Sequence, residues 1–112
     1  MKIQWKITRF NELLIAELYS VLQLRSEVFV VEQNCVYQDL DGKDEKALHL
    51  IGLFDGKIVA YARLFKPNDY FENASIGRVV IDQNYRDRKW GHEMMQQAIF
   101  GIQQYFGETK IT

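Results

Sequence analysis

"VVIDQNYRDRKWGHEMM", residues 79–95, is the stretch on which the fold turns. An apolar run ends at Ile81, a polar turn follows, and a helical pattern begins near Gly91. Arg86, Arg88 and Lys89 cluster at the mouth of that helix. A helix start already carries partial positive charge, so cations there are unfavourable unless something negative sits among them. The first amide N–H groups of a helix lack internal acceptors and can point at a phosphate. Gly91 has no Cβ and lets a ligand approach its backbone. Arg86 offers a forked pair of donors, and Arg88 and Lys89 add charge. By spacing alone, a solvated basic turn fits as well as an anion site. Neither a G-x-x-x-x-G-K-[ST] loop nor a G-x-G-x-x-G fingerprint occurs, which argues against ATP and dinucleotide enzymes of those types.

Outward from this unit, "SIGRVVI" (75–81) reads as its strand and "GHEMMQQAIFGIQQYF" (91–106) as its helix, with Met94, Ala98, Ile102 and Tyr105 on one face. "LHLIGLF" (48–54) and "KIVAYARLF" (57–65) read as strands joined by Asp55-Gly56, a strong hairpin signal. Pro67 lies in a loop. Residues 3–7 alternate weakly and predict a first strand. Asn11 is a candidate cap for a helix over residues 12–31, whose Leu14, Leu18, Val21, Leu22, Val28 and Phe29 recur at spacings of three and four. Residues 34–46 read as a loop, and "KIT" (110–112) as the start of a fifth strand. The order β, α, β, β, β, α, β predicts a mixed, mostly antiparallel sheet carrying helices, of the α/β (α+β) class.

The 112 residues allow one domain. Hydrophobic residues make up 47% and charged residues 26%, a globular balance that argues against disorder. Fourteen basic against fifteen acidic residues give no global bias toward nucleic acid or membrane, so any anion site is local. Cys35 is the only cysteine, which excludes an internal disulfide and a Cys-rich zinc site. No apolar stretch is long enough for a signal peptide or a membrane span, and a cytoplasmic protein is expected.

"VVIDQNYRDRKWGHEMM" resembles the coenzyme A signature of the GNAT acetyltransferase superfamily, in which a strand and turn lead into Arg/Gln-x-x-Gly-x-Gly/Ala and a helix. Arg86 takes the Arg/Gln position, Lys89 the first glycine position and Gly91 the second. "LQLRSEVFVVEQNCVYQDLDGKD" (22–44), His49, "VAYARLF" and "IGRVVI" narrow the resemblance to the ElaA-like branch, over nearly the whole chain. It implies a GNAT acyl-CoA N-acyltransferase fold, acetyl-CoA as co-substrate and a small-molecule or peptide amine as acceptor. It implies no metal. The pyrophosphate would lie on Arg86, Asp87, Arg88, Lys89, Trp90, Gly91 and His92. The pantetheine arm would run beside Val79, Val80 and Ile81, where a backbone N–H can polarise the thioester carbonyl.

Similar enzymes often protonate the leaving thiolate with a tyrosine beyond the fifth strand, and Thr112 precedes that point. The expectation is a C-terminally shortened GNAT domain, lacking its last strands and helix. Its exposed sheet edge and apolar patch would invite dimerisation or aggregation. The rival reading is a non-catalytic fragment that binds acyl-CoA or a partner. Acyl-homoserine lactone synthesis, which shares the fold, is a third.

Arg25 and Glu32 fall on the apolar stripe of the first helix. Either they reach the acceptor, with Glu32 the one weak candidate for a catalytic base, or they project into solvent or join an ion network. On alternation, Arg63 shares a face with Val59, Tyr61 and Phe65, and Arg78 with Ile76 and Val80. Together Arg63 and Arg78 would favour an acceptor carboxylate, or pair with Glu32, Asp41 or Asp44; structural pairing is the safer expectation. "YQDLDGKDE" fails as an EF-hand, because Tyr37 and Leu48 stand at the first and last ligand positions. His49 and His92 are expected to be hydrogen-bonded rather than metal-bound. Met94 and Met95 read as core filler. Trp90 reads either as packing or as a cover for adenine.

Overall fold

Four strands form one antiparallel sheet in the order β1-β2-β3-β4, with a helix on each face. The computed structural model describes residues 2–36, 38–108 and 110–111. The strands are β1 (Gln4–Arg9), β2 (Leu48–Phe54), β3 (Lys57–Phe65) and β4 (Ser75–Ile81), and the helices α1 (Ile15–Ser26) and α2 (Trp90–Phe106). Asp55 and Gly56 join β2 to β3 with φ of 53° and 77°, the doubly positive turn that matches strand twist.

The strand β3 does not alternate in sequence because both of its faces are covered. Tyr61 and Ile58 pack with Ile51, Val80 and the α1 residues Val21 and Leu24. Ala60, Ala62 and Leu64 pack with Leu50 and the α2 residues Met94, Ala98 and Ile102. No helix among the described residues is long and apolar enough to cross a membrane.

Several boundaries differ from the sequence reading. The first strand runs to Arg9 rather than Ile7. A short 3₁₀ turn, Phe10–Glu12, precedes the first helix, so Asn11 is not its cap. The helix begins at Ile15, where the Glu17 carboxylate accepts the Leu14 N–H at 2.9 Å and satisfies a donor of the first turn. Beyond Ser26 the chain continues as a six-residue π-helical segment, Glu27–Glu32. Leu14, expected on the apolar stripe, is exposed because it precedes the helix. On α2, Gly101 is buried with Met94, Ala98 and Ile102, while Tyr105 and Met95 face outward.

Strict alternation also fails at two bulges. Gly52 pairs with Ala60 but Leu53 with Ile58, leaving Val59 extra on β3. Tyr61 pairs with Val80 but Arg63 with Gly77, so Arg78 and Val79 together oppose Ala62. Each bulge flips the face of the residues beyond it. Val59 therefore lies in the α2-side core and Tyr61 in the α1-side core; likewise Ile76 lies on the α2 side and Val80 on the α1 side. Of the expected fifth strand, Ile111 forms a parallel bridge with Ala74, and Thr112 lies outside the described residues.

Candidate cofactor-binding site

The candidate site arises from how β4 ends. The strand is the last of the sheet among the described residues, so its outer N–H and C=O groups face away from β3, with Ala74 bridged to Ile111 at its start. The bulge breaks the ladder in mid-strand and leaves Val79 exposed. Arg78, the first bulged residue, has φ of 49°, a region that costs a non-glycine residue about 1–2 kcal/mol. Two bonds to Asp39 hold it there: Nε to Oδ1 at 2.9 Å and Nη2 to the carbonyl at 3.0 Å.

Asp82 closes the turn after β4. Its side chain accepts the Asn84 N–H at 3.0 Å, and its own N–H donates to the Val59 carbonyl at 2.8 Å. A 3₁₀ turn, Gln83–Arg88, leads to Lys89 at φ 61° and ψ 35°, the left-handed conformation that glycine adopts most readily. Lys89 thus takes the turn geometry of a glycine position. Directly after it α2 begins, and no side chain of the cap residue Lys89 bonds its first N–H groups. Over Gly91 the space is open: a Cβ there would meet only Ile81 Cδ1, at 4.0 Å. Asp87 and His92 are exposed beside it.

Two of the cations of this turn have internal partners. Arg86 donates from Nη1 and Nη2 to both oxygens of Glu32, at 2.6 and 2.9 Å, and from Nε to the Ile81 carbonyl at 2.9 Å. That pairing holds the Glu32 carboxyl below its usual range and raises the Arg86 guanidinium. Arg88 lies over the rings of Phe54, Tyr85 and Trp90, 4.8, 5.3 and 5.7 Å from their centroids, a cation–π arrangement. Trp90 itself is buried against Phe54 and Tyr85. Its ring is packing.

The other predicted arginines gather in one ion network beside the middle of β4. Arg25 and Arg63 are fully buried, so neither reaches an acceptor; Arg78 joins them. Arg25 meets Asp44 at 2.7 Å and Asp39 at 3.0 Å. Arg63 grips both oxygens of Asp41, at 2.8 and 2.9 Å, and reaches Asp44 at 3.1 Å. Those bonds hold the Asp41 carboxyl well below the usual carboxylate range. Structural pairing therefore prevails, with Asp41 and Asp44 as expected and Glu32 elsewhere. Asp39 escapes a reading of the sequence, although the D-x-D-x-x-D spacing of 39, 41 and 44 offers one acid for each of the three arginines.

His49 is hydrogen-bonded, as expected. Its Nε2–H donates to the Asp44 carbonyl at 2.9 Å, and its Nδ1 accepts the Tyr61 hydroxyl at 2.5 Å. Burial pushes its pKa down and that of Tyr61 up. No group of three or more metal-ligating side chains occurs among the described residues.

The sequence profile of the acetyltransferase (GNAT) family matches residues 13–111. The chain belongs to the GNAT acetyltransferase family. Within the GNAT family its relatives are ElaA-like. Protein ElaA of Escherichia coli K12 is 42% identical over 99 residues, which are 87% of this chain and 65% of that protein. The chain thus spans just under two thirds of that relative's length. The crystal structure of E. coli ElaA superposes with a TM-score of 0.91 at 38% identity, covering 98% of this chain and 76% of the other. An acyl-CoA N-acyltransferase from Pseudomonas aeruginosa superposes equally well, at 0.91 and 38%, covering 98% and 77%. A predicted acetyltransferase from Clostridium acetobutylicum, solved with acetyl-CoA, shares the GNAT fold at a TM-score of 0.69 and 12% identity, over 99% of this chain and 79% of that one.

Proposed function

We propose that this chain binds acetyl-CoA along β4 and the start of α2 and serves transfer of the acetyl group to a primary amine, carried by a small molecule or a peptide, in the cytoplasm. The observation that carries the reading is the junction itself. A bulged strand, the last of the sheet among the described residues and bridged only at its start, runs into an uncapped helix start, with open space over Gly91. Family membership supplies the reaction class.

The residues fit such a ligand part by part. The outer N–H and C=O groups of Val79, Val80 and Ile81 offer a strand-like ladder to the two amides of a pantetheine arm. The N–H groups of Gly91 and His92, with the positive end of the helix, suit a pyrophosphate. Bound acetyl-CoA supplies an activated acyl group whose carbonyl an amine attacks while the thiolate leaves. A bulge N–H aimed at that carbonyl would stabilise the charge that develops on it. The amine must be deprotonated first. Near pH 7.4 a lysine-like amine is neutral in roughly one part in a thousand, a cost of about 4 kcal/mol that a base or water chain offsets. Glu32 is committed to Arg86, which lowers its basicity and weakens its candidacy for that role.

The test is calorimetric titration of acetyl-CoA into the chain and into Gly91→Glu. The new carboxylate would stand in open space at a helix start, where an acid is tolerated or favoured, so the variant should melt no lower than the parent. Loss of binding in that folded variant supports the site. Equal affinity in both, or no binding by the folded parent, refutes it. Thiol release from acetyl-CoA across an amine panel then separates catalysis from binding alone.

A further inference from the structure

The Glu32–Arg86 pair joins the end of the π-helical segment to the turn after β4, across 54 residues of sequence. Its geometry is that of a guanidinium holding a bound anion. Glu32 fills the Nη1/Nη2 fork with both oxygens. The Ile81 carbonyl occupies Nε and with it the second fork. A phosphate needs one such fork for two-point recognition. Neither is open while Glu32 stays, and Glu32 would add like-charge repulsion to any phosphate beside it.

The carboxylate is also placed to leave. The two side chains, of Arg86 and Glu32, are 42% and 29% exposed, so water can take over both ends of the pair. The segment that carries Glu32 ends there, and π-helical turns of this kind recur at functional sites. Resting on the functional reading above, we infer that Glu32 is a built-in stand-in for the cofactor's pyrophosphate. It holds Arg86 in the cofactor-free protein, is displaced when acetyl-CoA binds, and thereby sets the affinity. Glu32 is then a regulator of binding and not the base.

A calorimetric double-mutant cycle with acetyl-CoA tests this, using the parent, Glu32→Gln, Arg86→Ala and the double variant. Removing an exposed competitor should tighten binding about threefold to fivefold in the parent background. In the Arg86→Ala background, Glu32→Gln should change nothing, because the fork is gone. Unchanged or weaker binding by Glu32→Gln overturns the inference, and so does unchanged binding by Arg86→Ala, while binding by the parent that Gly91→Glu abolishes still sustains the functional reading. The same gain in both backgrounds overturns it too, since it would show only a general charge effect. Absence of binding in all four folded proteins refutes the functional reading and the inference with it. Glu32→Ala serves as a second variant, and thermal melts check that each protein is folded.

Discussion

Asp44→Asn removes one charge from a buried network and changes almost no volume, which makes its cost calculable. Three guanidinium groups, of Arg25, Arg63 and Arg78, face three carboxylates, of Asp39, Asp41 and Asp44, so the set is neutral. Asp44 is the member shared by the two arginines that are only 1% exposed. Its loss leaves Arg25 with Asp39, Arg63 with Asp41, and a net positive charge out of water. Breaking a buried pair by removing one partner costs about 3–5 kcal/mol. The amide keeps one acceptor for Arg25, which puts the expected value at the low end, about 3 kcal/mol. For a domain whose total stability is about 5–15 kcal/mol, that is a large share. It corresponds to a fall in Tm of roughly 12–24 °C. Urea unfolding followed by circular dichroism measures it, and the m-value should stay constant. Arg63→Met in the Asp44→Asn background should cost less than in the parent, because it restores the neutrality of the set; the two changes should be less than additive. A cost below about 1 kcal/mol, or simple additivity, would refute the claim that the network is a closed, charge-balanced unit.

Burial yields further predictions. Stability should fall as pH is lowered through the histidine range: the unfolded chain takes up a proton at His49 near pH 6.5, while burial keeps the folded imidazole neutral. It should fall again below about pH 4, where unfolded Asp41 protonates and the folded carboxylate, held by Arg63, does not. Urea midpoints from pH 7.5 to 3.5 and the imidazole NMR titration report both, and a His49 midpoint at or above 6.5 would contradict the first. Gly52→Ala should cost about 3 kcal/mol, since its Cβ would stand 2.8 Å from Trp5 Cζ3 and 2.9 Å from both Ala60 Cβ and Ile3 Cδ1. Thermal melts beside Gly91→Ala, which meets only Ile81 Cδ1 at 4.0 Å, provide the comparison, and equal Tm values would refute the contact argument.

Much of this architecture is legible in the residues, and the failures have physical causes. The Asp55-Gly56 turn, the β2–β3 hairpin and the strand–turn–helix unit rest on local backbone preferences, so they read correctly. The sequence points to a helix start near residue 12 because Asn11 is a good cap in isolation. The chain instead spends Phe10–Glu12 on a 3₁₀ turn and satisfies Leu14 from Glu17. The face assignments fail at Val59 and Ile76 because bulges are set by pairing with a neighbouring strand, which period-two alternation does not register. For Arg25 and Arg63 the dilemma between solvent and ion pair is sound, but their partners lie in a loop 14 to 22 residues away along the chain. Asp39, which pins the strained Arg78, is marked only by its spacing from Asp41 and Asp44, and its partner lies 39 residues away along the chain.

The cations at the mouth of α2 present the same lesson in electrostatic form. Three positive side chains beside a helix start should repel its exposed amides, yet the structure gives two of them partners away from the helix axis. Arg86 turns back to Glu32 and Ile81, and Arg88 lies on three aromatic rings. Lys89 instead spends its backbone on the left-handed turn, and among the described residues it makes no ion pair. The resting protein thus keeps its cationic turn without a ligand because it holds an internal carboxylate and an aromatic surface in the ligand's stead. On the proposed reading, recognition of an anion at Gly91 would begin with the backbone N–H groups of the helix start. In the proposed displacement, the arginine fork would open only as Glu32 yields it. Affinity at such a site is a difference between two anions competing for one guanidinium, so an acid on α1's extension weighs on it as directly as any residue of the turn.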